Sequence, residues 1–129
     1  MNRIDGQTPP CNLAVIRGIV PNEPQRRDLP AGATVVQFDV TSRVVTGDRE
    51  TRSSVPIAWN DPSPAQLGVL QPGIEVVVVG TVRRRFFRVG GATQSRTEVV
   101  ADAVIPARRR KRVVAALREA AEGLLDLVE

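Results

Sequence analysis

The chain has 129 residues, 18 basic and 14 acidic, with a net charge of +4, one cysteine and no histidine. This length suits one domain with a modest core. Without histidine, a zinc site and nucleophile–histidine catalytic pairs are excluded. Carboxylates such as Asp39 and Asp102 also lack a paired acid at a recognisable spacing, so we expect no enzyme activity.

From cysteine usage and hydropathy, we expect a cytoplasmic protein. The single cysteine, Cys11, allows no intramolecular disulfide, which fits a reducing compartment. The apolar stretches are short and broken by charge, so the sequence predicts no transmembrane helix and no signal peptide.

Seventeen of the 18 basic residues are arginine. Arginine binds phosphate bidentately and stacks on bases, whereas lysine acts as a point charge. Because the net charge is small, any affinity for nucleic acid must come from local clusters of arginine.

The N-terminal half predicts three strands. Residues 1–11 indicate a flexible arm, and residues 12–20 a first strand in which Gly18 marks a bend or bulge. Residues 21–33 contain three prolines and a glycine and predict a loop. In the second strand, over residues 35–43, Val36, Phe38 and Val40 alternate with polar residues.

The third strand is expected around residues 52–60, with Val55, Ile57 and Trp59 on one face. Pro56 suggests an edge or bulged position. A short helix follows, with Ser63 as its N-cap and Pro64 in its first turn.

Residues 74–105 predict a hairpin of the fourth and fifth strands. A VVVV run typical of a strand covered on both faces leads into RRRFFR and a Gly90-Gly91 turn. Guanidinium groups mixed with aromatic rings suit a polymer of phosphates and flat bases. The candidate phosphate contacts are Arg83, Arg85, Arg88 and Arg96.

Strand alternation puts Phe86 and Phe87 on opposite faces of this hairpin. We expect Phe87 to stack on bases and Phe86 to pack in the core. A structural interpretation stays open for Phe87, as a packing residue at the end of the barrel. The arginine run Arg83–Arg85 likewise has a structural interpretation, as a solvated strand edge that discourages aggregation.

Residues 107–129 predict a basic linker and an amphipathic C-terminal helix. Its apolar stripe is expected to dock on a barrel, either its own or that of a neighbouring subunit. The basic run Arg108–Arg112 precedes acidic residues, which is the reverse of what the helix dipole favours. We infer that this run serves an external anion or lies partly outside the helix.

This order of elements predicts an all-β fold, a five-stranded OB-fold barrel over residues 12–106. The short helix lies between strands three and four, and an α-helix follows the barrel at the C-terminus. Such barrels bind oligonucleotides across one sheet face and between two loops. In this chain the loop between strands four and five is the Arg/Phe hairpin.

At this point the chain resembles the bacterial single-stranded DNA-binding protein family over about residues 12–105. The similarity combines many short matches in the expected order. These are Asn12 with Gly18, Pro24-Gln25-Arg26-Arg27, Val36-x-Phe38, Val55-Pro-Ile-Ala-Trp59, Leu70-Gln-Pro-Gly73 before VVVVG, and Thr97-Glu-Val-Val-Ala-Asp102.

The resemblance implies that Trp59 and Phe87 lie where aromatic rings of the family stack on bases. For Trp59, packing in the core remains the alternative. Thr46 and Ser53 occupy two other positions where rings would be expected, and neither side chain can stack. The residues flanking them, which we expect to substitute charge or guanidinium stacking, are Arg43, Arg49 and Arg52.

The resulting expectation is non-enzymatic, largely sequence-independent binding of single-stranded DNA in replication, recombination or repair. The resemblance implies a cytoplasmic, nucleoid-associated homo-oligomer without cofactor or metal, with a tetramer favoured and a dimer possible. Because Leu127-Val128-Glu129 follow the predicted helix, we do not expect recruitment of partners through the acidic, aromatic C-terminal tip of some family members. An accessory protein similar to the primosomal replication OB protein, acting through protein contacts, is the alternative, and RNA is not distinguished from DNA.

Overall fold

The computed structural model describes residues 11–126, so residues 1–10 of the predicted arm lie outside the described part. It contains six strands and two helices. In chain order they are β1 (Ala14–Ile19), β2 (Gln25–Asp28), β3 (Thr34–Thr46), β4 (Arg49–Asn60), α1 (Pro64–Gly68), β5 (Glu75–Val89), β6 (Ala92–Pro106) and α2 (Arg110–Asp126). Neither helix of residues 11–126 has the length and apolar character needed to cross a membrane.

The strands form one sheet in the order β1-β5-β6-β4-β3-β2. β4 and β6 are parallel, and the other pairings are antiparallel. β1 pairs along its length with β5 and also meets β3 at Ile19 and Thr41. The pairings therefore run through five strands and return to the first one.

β2 is a sixth strand, in a region predicted to be a loop. Gln25–Asp28 pairs antiparallel with Thr34–Gln37 on the side of β3 away from β4. All four of its residues are exposed, so no hydrophobic alternation marks the strand. The prediction of five strands was wrong here because prolines flank the strand without interrupting it.

The core lies on the inner face of this ring of strands. Val36, Phe38 and Val40 of β3 face Ile57 and Trp59 of β4, as the alternating pattern predicted. Only 4% of Trp59 is exposed.

The VVVV run of β5 is covered on both sides, as predicted. Val76 and Val78 belong to the core, whereas Val77 and Val79 are buried on the outer side. There α2 packs against β5 and β6, and its Ala116 borders a small groove with Val79. The C-terminal helix thus docks on the sheet of its own chain.

A β-bulge interrupts the β5–β6 ladder. Val79 pairs with Ala103 and Gly80 with Ala101, so Asp102 has no partner on β5. The extra residue shifts the alternation of β6, because successive side chains of a strand point to opposite faces. Val99 and Ala101 consequently enter the core, and Glu98 is turned to the outer face.

Replacing Gly18 with alanine should lower the free energy of unfolding by about 1–3 kcal/mol or more, because overpacking forces the backbone to move. A Cβ at this position overlaps the carbonyl oxygen of Thr41 and lies 2.8 Å from Cγ1 of Val40. Urea unfolding followed by the fluorescence of Trp59 measures the change.

Gly123→Ala is the matched control. Its Cβ meets no described atom within 4 Å. Alanine in a helix should then stabilise the protein by up to about 1 kcal/mol. Equal effects of the two substitutions would contradict the close approach of β1 to β3.

Candidate nucleic-acid interface

The outer face of β3 and β4 carries two arginines at the hairpin end. Arg43 and Arg52 are directly opposed across the two strands. They alternate with the residues that point to the core, so both side chains lie outside. Like charges in opposed positions repel. Arg43 is also paired with Glu50, the residue two positions before Arg52.

The β5–β6 hairpin continues this surface. Arg83 lies opposite Glu98, and Arg85 lies opposite Arg96, all on the outer side. Nη2 of Arg96 is 3.9 Å from Oδ1 of Asp39 on β3, which connects the hairpin to the outer face of β3 and β4. We call this surface the arginine face; its members are Arg43, Arg52, Arg83, Arg85, Phe87 and Arg96.

Glu98 lies beneath this surface, with only 2% of its area exposed. It accepts a hydrogen bond from Arg83, and its Oε1 is 3.9 Å from Nη2 of Arg85. A buried carboxylate is costly without charged or hydrogen-bonding partners. The two arginines are therefore held in place by a single acid.

The arginine face is only moderately positive. Its five guanidinium groups lie among three carboxylates, those of Asp39, Glu50 and Glu98. Within residues 11–126, Arg52 makes no ion pair, and the buried Nε of Arg85 has no hydrogen-bond partner. Arg52 therefore keeps its hydrogen-bonding capacity on this face, whereas the Nε of Arg85 lies beneath it.

Phe87 is the aromatic ring of the arginine face. It is half-buried, and Cζ of Arg85 lies 5.7 Å from the centre of its ring, within range of a cation–π interaction. Part of the ring therefore remains accessible beside the arginine.

Phe86 lies on the opposite face, and the prediction that it packs in the core was wrong. It is 65% exposed, with Cζ of Arg84 5.5 Å from its ring centre. β1 pairs with β5 only as far as Gly80, and β4 meets β6 only at Val99–Ala101. Beyond these points the hairpin leaves the sheet, so the inward side of its strands faces solvent.

Three other predicted residues lie away from the arginine face. Arg88 shares the side of Phe86 and donates a hydrogen bond to the carbonyl of Gly91, at 2.9 Å. Arg49 lies on the opposite side of β4 from Arg52 by strand alternation. Trp59 is in the core, so its ring is not available for stacking in this arrangement.

The acidic residues of the face were not predicted from the sequence. The position of Glu98 opposite Arg83 depends on the bulge at Asp102. The sequence TEVVADAVI does not reveal which residue is unpaired. Within the described residues, no group of three or more His, Cys, Asp or Glu side chains could hold a metal ion.

No protein-family model matches the chain, and no curated protein matches its sequence. Among solved structures, it is similar to the Plasmodium falciparum SSB complex with ssDNA. The TM-score is 0.64 at 20% identity, and the match covers 78% of this chain and 97% of that chain. The chain therefore has the fold of that SSB.

Glu98→Gln should lower the free energy of unfolding by about 1.5–3 kcal/mol, the range for a hydrogen bond to a charged group. The buried amide would replace a carboxylate that now holds two arginines. Glu50→Gln removes a carboxylate that is 46% exposed and should cost less than about 1 kcal/mol. Urea unfolding distinguishes them, and equal losses would contradict a central role for Glu98.

Proposed function

We propose that the protein is a non-enzymatic single-stranded DNA-binding protein with little sequence preference. The observation that carries this proposal is the arginine face, a row of guanidinium groups with one ring on the outer side of an SSB-like fold. Guanidinium groups form bidentate hydrogen bonds with phosphate. Aromatic rings accept any base, because every base has a flat π-face.

In this proposal, Phe87 is the main side chain that stacks on bases. Trp59 is buried, and Thr46 and Ser53 cannot stack. Phe86 lies on the opposite side of the hairpin. With one ring on the face, phosphate contacts supply most of the affinity, and the affinity should depend strongly on salt.

We further propose an OB-fold barrel of the bacterial single-stranded DNA-binding type, acting in DNA replication, recombination or repair. A homo-oligomer, with a tetramer favoured, would present several arginine faces to one strand. Linked faces increase the effective concentration for the second contact, which compensates for weak binding by each copy. In this proposal the protein is cytoplasmic and associated with the nucleoid.

Fluorescence anisotropy with a labelled oligothymidine tests the proposal directly. Affinity should fall as salt rises, by about 0.7 in logarithmic slope for each phosphate neutralised. Arg52→Gln should reduce that slope by about one phosphate contact. No binding at low salt, or binding that is indifferent to salt, would overturn the proposed function.

Arg49→Gln is the control for Arg52→Gln. Both arginines are exposed and lie on β4 three positions apart, on opposite faces. The control should leave the salt slope unchanged. Equal reductions of the salt slope in the two variants would show that the DNA strand does not follow the arginine face.

Phe87→Ala should weaken oligothymidine binding by about 5- to 150-fold, which corresponds to one base stack of about 1–3 kcal/mol. Phe86→Ala, at the neighbouring position on the opposite face, should leave affinity within about twofold of the parent protein. Trp59 emission confirms folding in both variants. A larger loss of affinity in Phe86→Ala than in Phe87→Ala would show that the DNA strand binds on the other side of the hairpin.

A further inference from the structure

Helix α2 carries two apolar stripes displaced from each other by one residue. The first, Val113, Ala116, Ala120 and Leu124, is half-buried, and its alanines border the groove against β5 and β6. The second consists of Val114, Leu117, Ala121 and Leu125. Val114 is half-buried, whereas Leu117 is 37% exposed and Leu125 60% exposed, so the sheet leaves the second stripe uncovered from Leu117 to Leu125.

The charges of α2 oppose its own dipole. The first turn contains no acidic residue and the last turn no basic residue. Arg110, Lys111 and Arg112 lie at the positive end, whereas Glu122 and Asp126 lie near the negative end. All five are exposed, and none forms an ion pair within residues 11–126. Nothing in the described part of one chain compensates for this arrangement.

We propose that the second stripe binds the same stripe of a second copy, with the two α2 helices antiparallel. In that orientation the basic end of each helix lies beside the acidic end and the negative dipole end of the other. Contacts at spacings of three and four residues form a continuous helix–helix seam. The arrangement is isologous, since one surface meets itself across a two-fold axis.

A second copy fits this surface better than nucleic acid does. A DNA strand would match the basic end of α2 but would be repelled by Glu119, Glu122 and Asp126. It would also gain nothing from Leu117 and Leu125. The inference deepens the proposed homo-oligomer by naming one of its contacts, and it does not depend on DNA binding.

The antiparallel register makes a specific cross-linking prediction. In this pairing, Val114 of one copy lies opposite Leu125 of the other. The two copies of Val114, and likewise the two copies of Leu125, are then about 16 Å apart along the helix axis. In a Cys11→Ser background, Val114→Cys mixed with Leu125→Cys should form a dimer with a short bismaleimide. Either variant alone should give only background. Absence of the mixed product, or equal products from the single variants, overturns the proposal.

Charge reversal provides the second test. One variant changes Arg110, Lys111 and Arg112 to Glu, and the other changes Glu119, Glu122 and Asp126 to Lys. When Val114→Cys and Leu125→Cys are combined in one chain with either charge reversal, cross-linking should fall at least tenfold. Mixing the two reversed proteins should restore it, which also shows that both are folded. Cross-linking that is indifferent to the reversals contradicts the charge pairing.

Oligothymidine anisotropy on the same samples separates this inference from the proposed function. DNA binding without cross-linking overturns the helix pairing alone. Cross-linking without DNA binding overturns the DNA-binding function alone.

Discussion

The unpaired residue Asp102 determines which side chains meet on the outer surface. Because it adds one residue to β6, Val99 and Ala101 fill the core while Glu98 and Arg96 face outward. A strict alternation from Val104 would turn Glu98 towards the apolar interior. The arrangement of the arginine face thus follows from a local irregularity of the backbone.

Charged side chains are arranged differently on the arginine face and on α2. On the arginine face, carboxylates lie among the guanidinium groups and hold several of them through ion pairs. On α2, positive and negative charges are separated along the helix axis, without ion pairs within residues 11–126. Under the proposed function, the first pattern suits a flexible polyanion that meets arginines already positioned by acids. The second suits a rigid partner with the same charges in reverse order.

The sequence predicted the elements whose pattern is local. The alternation of β3, the doubly covered VVVV run and the docking of the C-terminal helix are visible in the order of apolar residues. β2 was missed because all its residues are exposed, and Phe86 was misplaced because alternation does not reveal where a hairpin leaves its sheet. The arginines of the face were predicted from the hairpin over residues 74–105 and from the positions that flank Thr46 and Ser53. Their separation from Arg49 and Arg88, and their pairing with Glu98, required the register of the strands.

The buried carboxylate of Glu98 has a consequence for the entropy of recognition. A long arginine side chain normally loses rotamer freedom when it meets a phosphate, at about 0.5–1.5 kcal/mol per immobilised side chain. Arg83 and Arg85 are already restrained by Glu98, and Arg85 also lies over Phe87. Much of that loss therefore occurs during folding. Under the proposed function, a DNA strand would meet a preorganised pair of cations whose spacing is fixed before contact.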